Sequence, residues 1–344
     1  MKTSAKPTTA CYQDKLSEEK SIQFVRNTFV SLLSENLSLH MVAAPLAVLD
    51  GTGINDDLNG TERPVRFPVK AVNQHSAVVV HSLAKWKRIR LMELGIEAGQ
   101  GIVTNMHALR PDEELGPIHS VYVDQWDWEQ KITPEQYSIS FLKKTVCKIY
   151  DALKATEKTV SMEYPEIKPV LPDKISFVHS EDLLCMFPDL PPQEREREAA
   201  RRLGAFFLIG IGAELSNGEP HDGRAPDYDD WSSPGEGGKR GLNGDIIVWN
   251  PVLESAFEIS SMGIRVSPDA LTRQLKIKKC PERKNLLFHQ MLLKNELPLS
   301  IGGGIGQSRV CMFMLRKAHI SQVQISIWPP SILQKMRKSG IEPL

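Results

Sequence analysis

The sequence lacks a charge of one sign. Lys+Arg 42 against Asp+Glu 42 leaves a formal balance of +0 over 344 residues. That excludes a chain that holds nucleic acid through bulk charge, though not one with a local basic groove. Long hydrophobic runs are also missing. The longest, near residues 205–213, is too short to span a bilayer, so no membrane partner is expected. Residues 1–20 carry Asp14, Glu18 and Glu19 and no apolar core, which argues against a secretory signal. No Arg precedes Arg26, which argues against an organelle transit peptide. The five cysteines (Cys11, Cys147, Cys185, Cys280 and Cys311) form no CxxC pair, so neither a zinc site nor a redox pair is expected. Scattered free thiols suit a reducing compartment, here the cytoplasm. Two common nucleotide signals are missing as well. There is no GxxxxGK[ST], and the glycine run at 302–306 does not sit in a βαβ unit with a following acid.

What is present is an ordinary globular composition, 41% hydrophobic and 24% charged. The length allows one large α+β domain or two average ones. Residues 1–17 read as a flexible tail. Ser17 followed by Glu18 and Glu19 marks a helix start. Ile22, Val25, Phe29, Leu32, Leu33 and Leu37 then recur at helical spacing, which predicts an amphipathic helix over 18–36. A polar loop follows at 50–60. Val78–Val80 reads as a strand passing into a helix, and 102–110 and 118–129 as a strand–loop–strand unit. Residues 245–249, 256–266 and 297–302 are further strands, the last leading through a glycine turn into a helix near Gln307. Such hairpins indicate a mainly antiparallel sheet flanked by helices. The charged runs 191–202 and 273–284 read as solvated surface.

Three units could carry chemistry. Gly302–Gly306 with Arg309 at a helix start is a possible anion site, although close strand–helix packing explains the glycines equally well. Arg110 ends a strand and Glu113 follows in its loop. On the return strand, period-two alternation puts Val121, Val123, Gln125, Asp127 and Glu129 on one face, and Tyr122, Asp124, Trp126 and Trp128 on the other. A merely solvated sheet face would also explain Gln125 and Asp127. Asp245 and Glu258 lie in apolar strands, where carboxylates usually have partners. A regular strand would put Glu258 and Arg265 on opposite faces, and a bulge near Ser260, Ser261 and Gly263 could turn both inward. A buried Glu258–Arg265 ion pair without a ligand is the alternative.

Together these units resemble the motifs of class II aminoacyl-tRNA synthetases: a helix and strand ending at Pro45, Arg110 with Glu113 on a strand–loop–strand, and Gly304–Gly306 leading to Arg309. Phe257–Arg265 and Ser82–Lys87 resemble aspartyl stretches of that class. Over about residues 20–330 the chain is similar to the asparagine synthetase A family, the aspartate–ammonia ligases built on that catalytic domain. The stretches 80–88, 108–113, 119–129, 224–231, 241–245, 248–254 and 301–309 carry the likeness. His107 departs from it, since a Lys is usual there, and is given no catalytic role.

The resemblance implies an α+β, class II synthetase-like catalytic domain over 18–335, with 336–344 a C-terminal tail. It implies ATP-dependent synthesis of asparagine from aspartate and ammonia through β-aspartyl-AMP, with Mg²⁺ and no nucleic acid. Arg110 would meet the α-phosphate and Arg309 the outer phosphates, with Glu113 and Tyr228 also binding ATP and Asp245 and Glu258 holding Mg²⁺. Lys87 and Arg265 would hold the α-carboxylate and Asp56 the α-ammonium, with Ser82, Gln125 and Ser261 adding hydrogen bonds. By sequence alone Asp56 would be read as a loop Asx-turn. Asp127 and Asp229 are candidates for attracting ammonium, and 231–244 for a lid. Pro45 and its preceding helix imply a homodimer. The alternative is an aspartyl- or asparaginyl-tRNA synthetase-like paralogue, but no anticodon-binding domain is expected before residue 18.

Overall fold

The computed structural model describes residues 9–56 and 62–344, with side chains from Lys15 onward. Residues 1–8 of the expected tail, residues 57–60 of the polar loop with residue 61 after it, and the Cys11 side chain lie outside the described residues.

The helical spacing of Ile22, Val25, Phe29, Leu33 and Leu37 turns all five inward, at 0–4% exposure. They belong to α1 (Thr9–Leu37), which starts ahead of the expected residue 18 and within the segment read as a tail. Short strands β1 (Leu39–Met41), β2 (Ala47–Leu49), β3 (Arg66–Val69) and β4 (His75–Val79) precede α2 (Ala84–Glu93). The strand–loop–strand unit is β5 (Gly101–Leu109) and β6 (Tyr122–Lys131), followed by α3 (Ile139–Glu163). Next come β7 (Ser176–His179), α4 (Ser180–Met186), α5 (Pro192–Leu203) and β8 (Ala205–Ile209). The chain continues through β9 (Asn243–Asn250), β10 (Ser255–Ile264), α6 (Pro268–Ile277) and α7 (Leu287–Leu293). It ends with β11 (Ser300–Gly306), α8 (Gln307–Met314) and α9 (Pro330–Lys338).

The sheet order is β1-β5-β6-β11-β10-β9-β8-β7, with β2-β4-β3 a separate small sheet. Only the two outer pairs of the large sheet, β1/β5 and β7/β8, are parallel; the six strands between are antiparallel. One face carries the main core. Trp126 and Trp128 of β6 pack there with Phe257, Ile246 and Ile305, beneath α1, α3 and α8. The other face is covered at its flanks. Val80, Leu83, Met106 and Ala108 close one side, and Ala199, Ala200, Phe206, Leu208 and Ile247 close the other under α4 and α5. The middle of that face is left open, and this is where the polar side of β6 points.

Two irregularities shape the open region. The register of β10 against β9 shifts between Glu258 and Ser260, so the expected bulge is present. The glycine run was expected as a turn, but it makes up most of β11, hydrogen-bonded on both sides to β6 and β10. Its glycines are needed for space. A Cβ on Gly302 would lie 1.9 Å from Glu129 Oε2 and 2.7 Å from Arg265 Nη2. One on Gly304 would lie 2.4 Å from Gln125 Oε1 and 2.7 Å from Asp127 Oδ1. Overpacking of this kind costs about 1–3 kcal/mol. Gly302→Ala is therefore expected to lower stability by that order in urea denaturation. A midpoint equal to wild type would show that the close approach is not a constraint.

Candidate active site

A cavity of about 460 Å³ opens over the middle of the sheet. Its floor is built from β6 and β11. Gly302 and Gly304 pair with Glu129 and Asp127, and Gly306 with Gln125. The carboxylates and the amide therefore lean over three glycines of β11 that carry no side chains.

The most buried part of the site is a charge network. Arg265 donates through Nε to Glu129 Oε1 at 3.0 Å and through Nη2 to Oε2 at 2.9 Å. Its Nη1 meets Asp229. Ser300 Oγ donates to Glu129 at 2.7 Å. Lys87 Nζ donates to the Gly303 carbonyl at 2.9 Å and stands 3.5 Å from Asp127 Oδ2. The backbone N–H of Leu83 also donates to Asp127 Oδ2, at 3.0 Å. Lys87, Asp127, Glu129, Asp229 and Arg265 are all at most 3% exposed. Burial pushes the Lys87 ammonium below its ordinary value against the pull of Asp127. Burial acts on Arg265 in the same sense, but Glu129 and Asp229 outweigh it and hold the guanidinium firmly charged. Burial raises Asp229 despite Arg265.

Asp56 stands at one edge, 2% exposed. It accepts from Ser82 Oγ at 2.8 Å, a contact across the fold. The opposite end holds a second set of cations. Arg309, in the first turn of α8, donates to the Glu258 carbonyl at 3.0 Å and lies 3.4 Å from Glu258 Oε2. It also contacts His119 Nε2 at 3.1 Å. Burial and Arg309 together push the His119 imidazolium down, so the ring is held neutral. Arg110 is 3.8 Å from Glu113. Arg224 Nη2 donates to both oxygens of Asp245, at 2.6 and 2.8 Å, and to Ser261 Oγ at 3.1 Å. Glu258 pairs with Arg309 and Arg265 with Glu129 and Asp229, so the ion pair considered between Glu258 and Arg265 does not form.

Arg110, Glu113, Arg309, Glu258, Asp56, Ser82, Lys87, Gln125, Asp127, Tyr228, Asp229, Ser261 and Arg265 all line this one cavity. Asp245 stands behind Arg224 and is not part of the lining. His107 is also outside it, stacked on Tyr122. The stretch 231–244 contributes no lining residue here; Gly235, Glu236, Lys239 and Gly241 instead line a smaller, separate cavity. Sequence reasoning gave no role to Arg224, His119, Glu129 or Asp222, which all belong to the network or the lining. Glu129 shares the polar face of β6 with Gln125 and Asp127, and that signal could have found it. Arg224 and His119 sit in irregular loops, where no periodicity marks them. Among the described residues no group of three or more His, Cys, Asp or Glu is arranged to hold a metal. Any cation would need oxygens from a ligand as well.

A family model described as aspartate–ammonia ligase matches residues 16–340. The chain is 56% identical to an aspartate–ammonia ligase of Parabacteroides distasonis over 323 residues, 94% of each chain. It is 49% identical to one of Clostridium perfringens over 326 residues, 95% of this chain and 94% of that one. Among solved structures, the asparaginyl-tRNA synthetase of Entamoeba histolytica in complex with asparaginyl-adenylate matches with a TM-score of 0.64 at 15% identity, over 90% of this chain and 66% of that one. That of Pyrococcus horikoshii complexed with asparaginyl-adenylate also gives 0.64, at 14% identity, over 91% and 70%. At such identities the likeness shows the fold, the α+β catalytic domain of class II synthetases.

Asp245 yields a pH test. Burial is the largest influence on its carboxyl; Glu258 adds to it, Arg224 opposes, and the result is a rise from 3.8 to about 7. The native state thus keeps a proton that the unfolded chain has released. The stability from this group is present below about pH 4 and is lost as pH rises through about 7. Carboxyl-labelled NMR, assigned by loss of the resonance in Asp245→Asn, is expected to give a midpoint near neutrality without ligands. An ordinary aspartate midpoint would contradict this electrostatic account.

Proposed function

Because the chain belongs to the aspartate–ammonia ligase family, we propose that it joins aspartate and ammonia into asparagine at the expense of ATP, through β-aspartyl-AMP, with release of AMP and pyrophosphate. The observation that carries this reading is the division of the cavity's cations. Lys87 and Arg265 lie together over the glycine strand, while Arg309 beside Glu258 and Arg110 beside Glu113 gather around His119 toward the other end. An amino acid with two carboxylates and a nucleotide with three phosphates need such a division.

Lys87 and Arg265 hold the α-carboxylate of aspartate, and Asp56 its ammonium, with Ser82, Gln125 and Ser261 as hydrogen-bonding partners. The β-carboxylate is thereby turned toward the phosphates. Its oxygen attacks the α-phosphorus; the new P–O bond forms as the bond to pyrophosphate breaks. One anion approaches another, so neutralisation of charge is what the site must supply. Arg110 meets the α-phosphate and Arg309 the outer phosphates, while Glu113 and Tyr228 help bind the nucleotide. Asp245 and Glu258 would hold Mg²⁺, Glu258 from the cavity lining and Asp245 once Arg224 moves off its oxygens. The raised Asp245 carboxyl reflects in part repulsion from Glu258, which a divalent cation shared with phosphate oxygens would relieve. Bound there, Mg²⁺ would neutralise phosphate charge.

In the second half-reaction ammonium must lose a proton before its nitrogen attacks the β-carbonyl carbon and expels AMP. Asp127 and Asp229 are the carboxylates placed to attract it. A homodimer is also proposed. Met41, Leu46 and Leu49, on either side of Pro45, are 45–60% exposed and form a surface that a second copy would cover.

Incubation with aspartate, ATP, Mg²⁺ and ammonium should give asparagine with AMP and pyrophosphate. ADP in place of AMP would overturn the adenylate route. Arg110→Ala should slow aspartate-dependent ATP–pyrophosphate exchange by roughly 100-fold or more, the effect of losing one donor to developing charge. An unchanged rate would remove Arg110 from the chemistry.

A further inference from the structure

We propose that Asp227 is a positioning residue that keeps the aspartate-binding side of the cavity in register, acting through Lys85 and His289. It is not part of the cavity lining. Its Oδ2 lies 3.1 Å from Lys85 Nζ, 3.0 Å from His289 Nε2 and 3.4 Å from Arg283 Nη1. Asp227, Lys85 and His289 are each at most 1% exposed. A buried ion pair gains little net stability over apolar packing of the same volume, and its best-attested use is to specify a geometry.

Lys85 and Asp227 come from segments that carry aspartate-side residues, and His289 from a helix that supports a third. Lys85 lies between Ser82 and Lys87 at the start of α2. Asp227 is two residues before Asp229, which holds Arg265. His289 is on α7, which supports the turn before Asp56. Phe288 N–H donates to the Thr52 carbonyl at 3.2 Å. Gly53, with φ +71°, is so close that a Cβ there would lie 2.8 Å from Leu286 Cβ and 3.1 Å from His289 Nδ1. The segments bearing Ser82 with Lys87 and Asp229 thus meet at one carboxylate oxygen, and α7, which supports the turn before Asp56, joins them there. The phosphate-side residues Arg110, Glu113, Glu258 and Arg309 stand elsewhere, on β10, α8 and the loop after β5, whereas Tyr228, also assigned to the nucleotide, adjoins Asp227 in the chain. Among the described residues, no ion pair or hydrogen bond from Asp227, Lys85 or His289 reaches them.

This inference rests on the assignment of aspartate to that side of the cavity. Its test separates positioning from folding. The double variant Lys85→Met/Asp227→Leu replaces the buried Lys–Asp pair by apolar side chains of similar volume, an exchange that can be neutral for stability, and leaves His289 without its Asp227 contact. Its KM for aspartate should rise by about tenfold or more, with KM for ATP changed by less than about threefold and an unfolding midpoint close to wild type. Asp227→Asn, which keeps the shape, should shift the two KM values in the same unequal way, and it decides the matter if the double variant does not fold. An unchanged KM for aspartate, or equal rises in both KM values, would overturn the proposal. Failure of the wild type to form asparagine would instead overturn the functional reading; calorimetric aspartate affinities of wild type and variant would then apply the same criterion to Asp227.

Discussion

The absence of side chains at Gly302, Gly304 and Gly306, along one face of β11, is the constraint on which the site depends. Gly302 and Gly304 leave the width of a strand free, and Glu129, Arg265, Gln125 and Asp127 lean across it. With a methyl group at Gly302, the Glu129 carboxylate could not keep its present place against Arg265. The two strands that carry the charges, β6 and β10, are both hydrogen-bonded to β11, so the bare strand sets their spacing and clears the floor between them. The third glycine, Gly303, faces the other way, where a Cβ would meet Met262 Cβ at 2.6 Å. The same run therefore serves the core on one face and the site on the other.

The electrostatics follow from this floor. Five ionisable residues around it are almost wholly buried, and none could be charged there alone at tolerable cost. Each is paired: Arg265 with two carboxylates, Asp127 with Lys87 and a backbone N–H. The pairs fix orientation before any ligand arrives, which is how a site avoids reorganising at the moment of reaction. Lys87 still lines the cavity beside Arg265, so two cations share a region where a carboxylate would be welcome. At the mouth, Arg309 and Glu258 are more exposed and their pairing is correspondingly looser.

Much of this was legible in the sequence wherever a local period carried it. The alternation along β6 separated Gln125, Asp127 and Glu129 from Trp126 and Trp128, and the structure keeps that division. The inward face of α1 followed from its helical spacing, although its first turns did not, because residues 9–17 have little apolar pattern to mark them. The bulge in β10 was foreseeable from the need to bring Glu258 and Arg265 to one face. The glycines of β11 were legible as a place of close approach, but not as strand, since glycine has a weak strand preference and only the neighbouring strands impose the extended form. Pairings between distant positions left no local trace. Arg265 and Glu129 are 136 residues apart, and Lys85 and Asp227 142. The loops carrying Arg224 and His119 have no period at all, and their roles emerge only when the sheet brings them to one mouth.

The orientation of the amino acid above β11 decides the function proposed for this site. A crystal structure with a non-hydrolysable β-aspartyl-adenylate analogue measures it directly. The α-carboxylate is predicted to lie between Lys87 and Arg265 over Gly304, with the phosphate at Arg110. An analogue bound in the reverse sense, or with its carboxylate away from both cations, would contradict it.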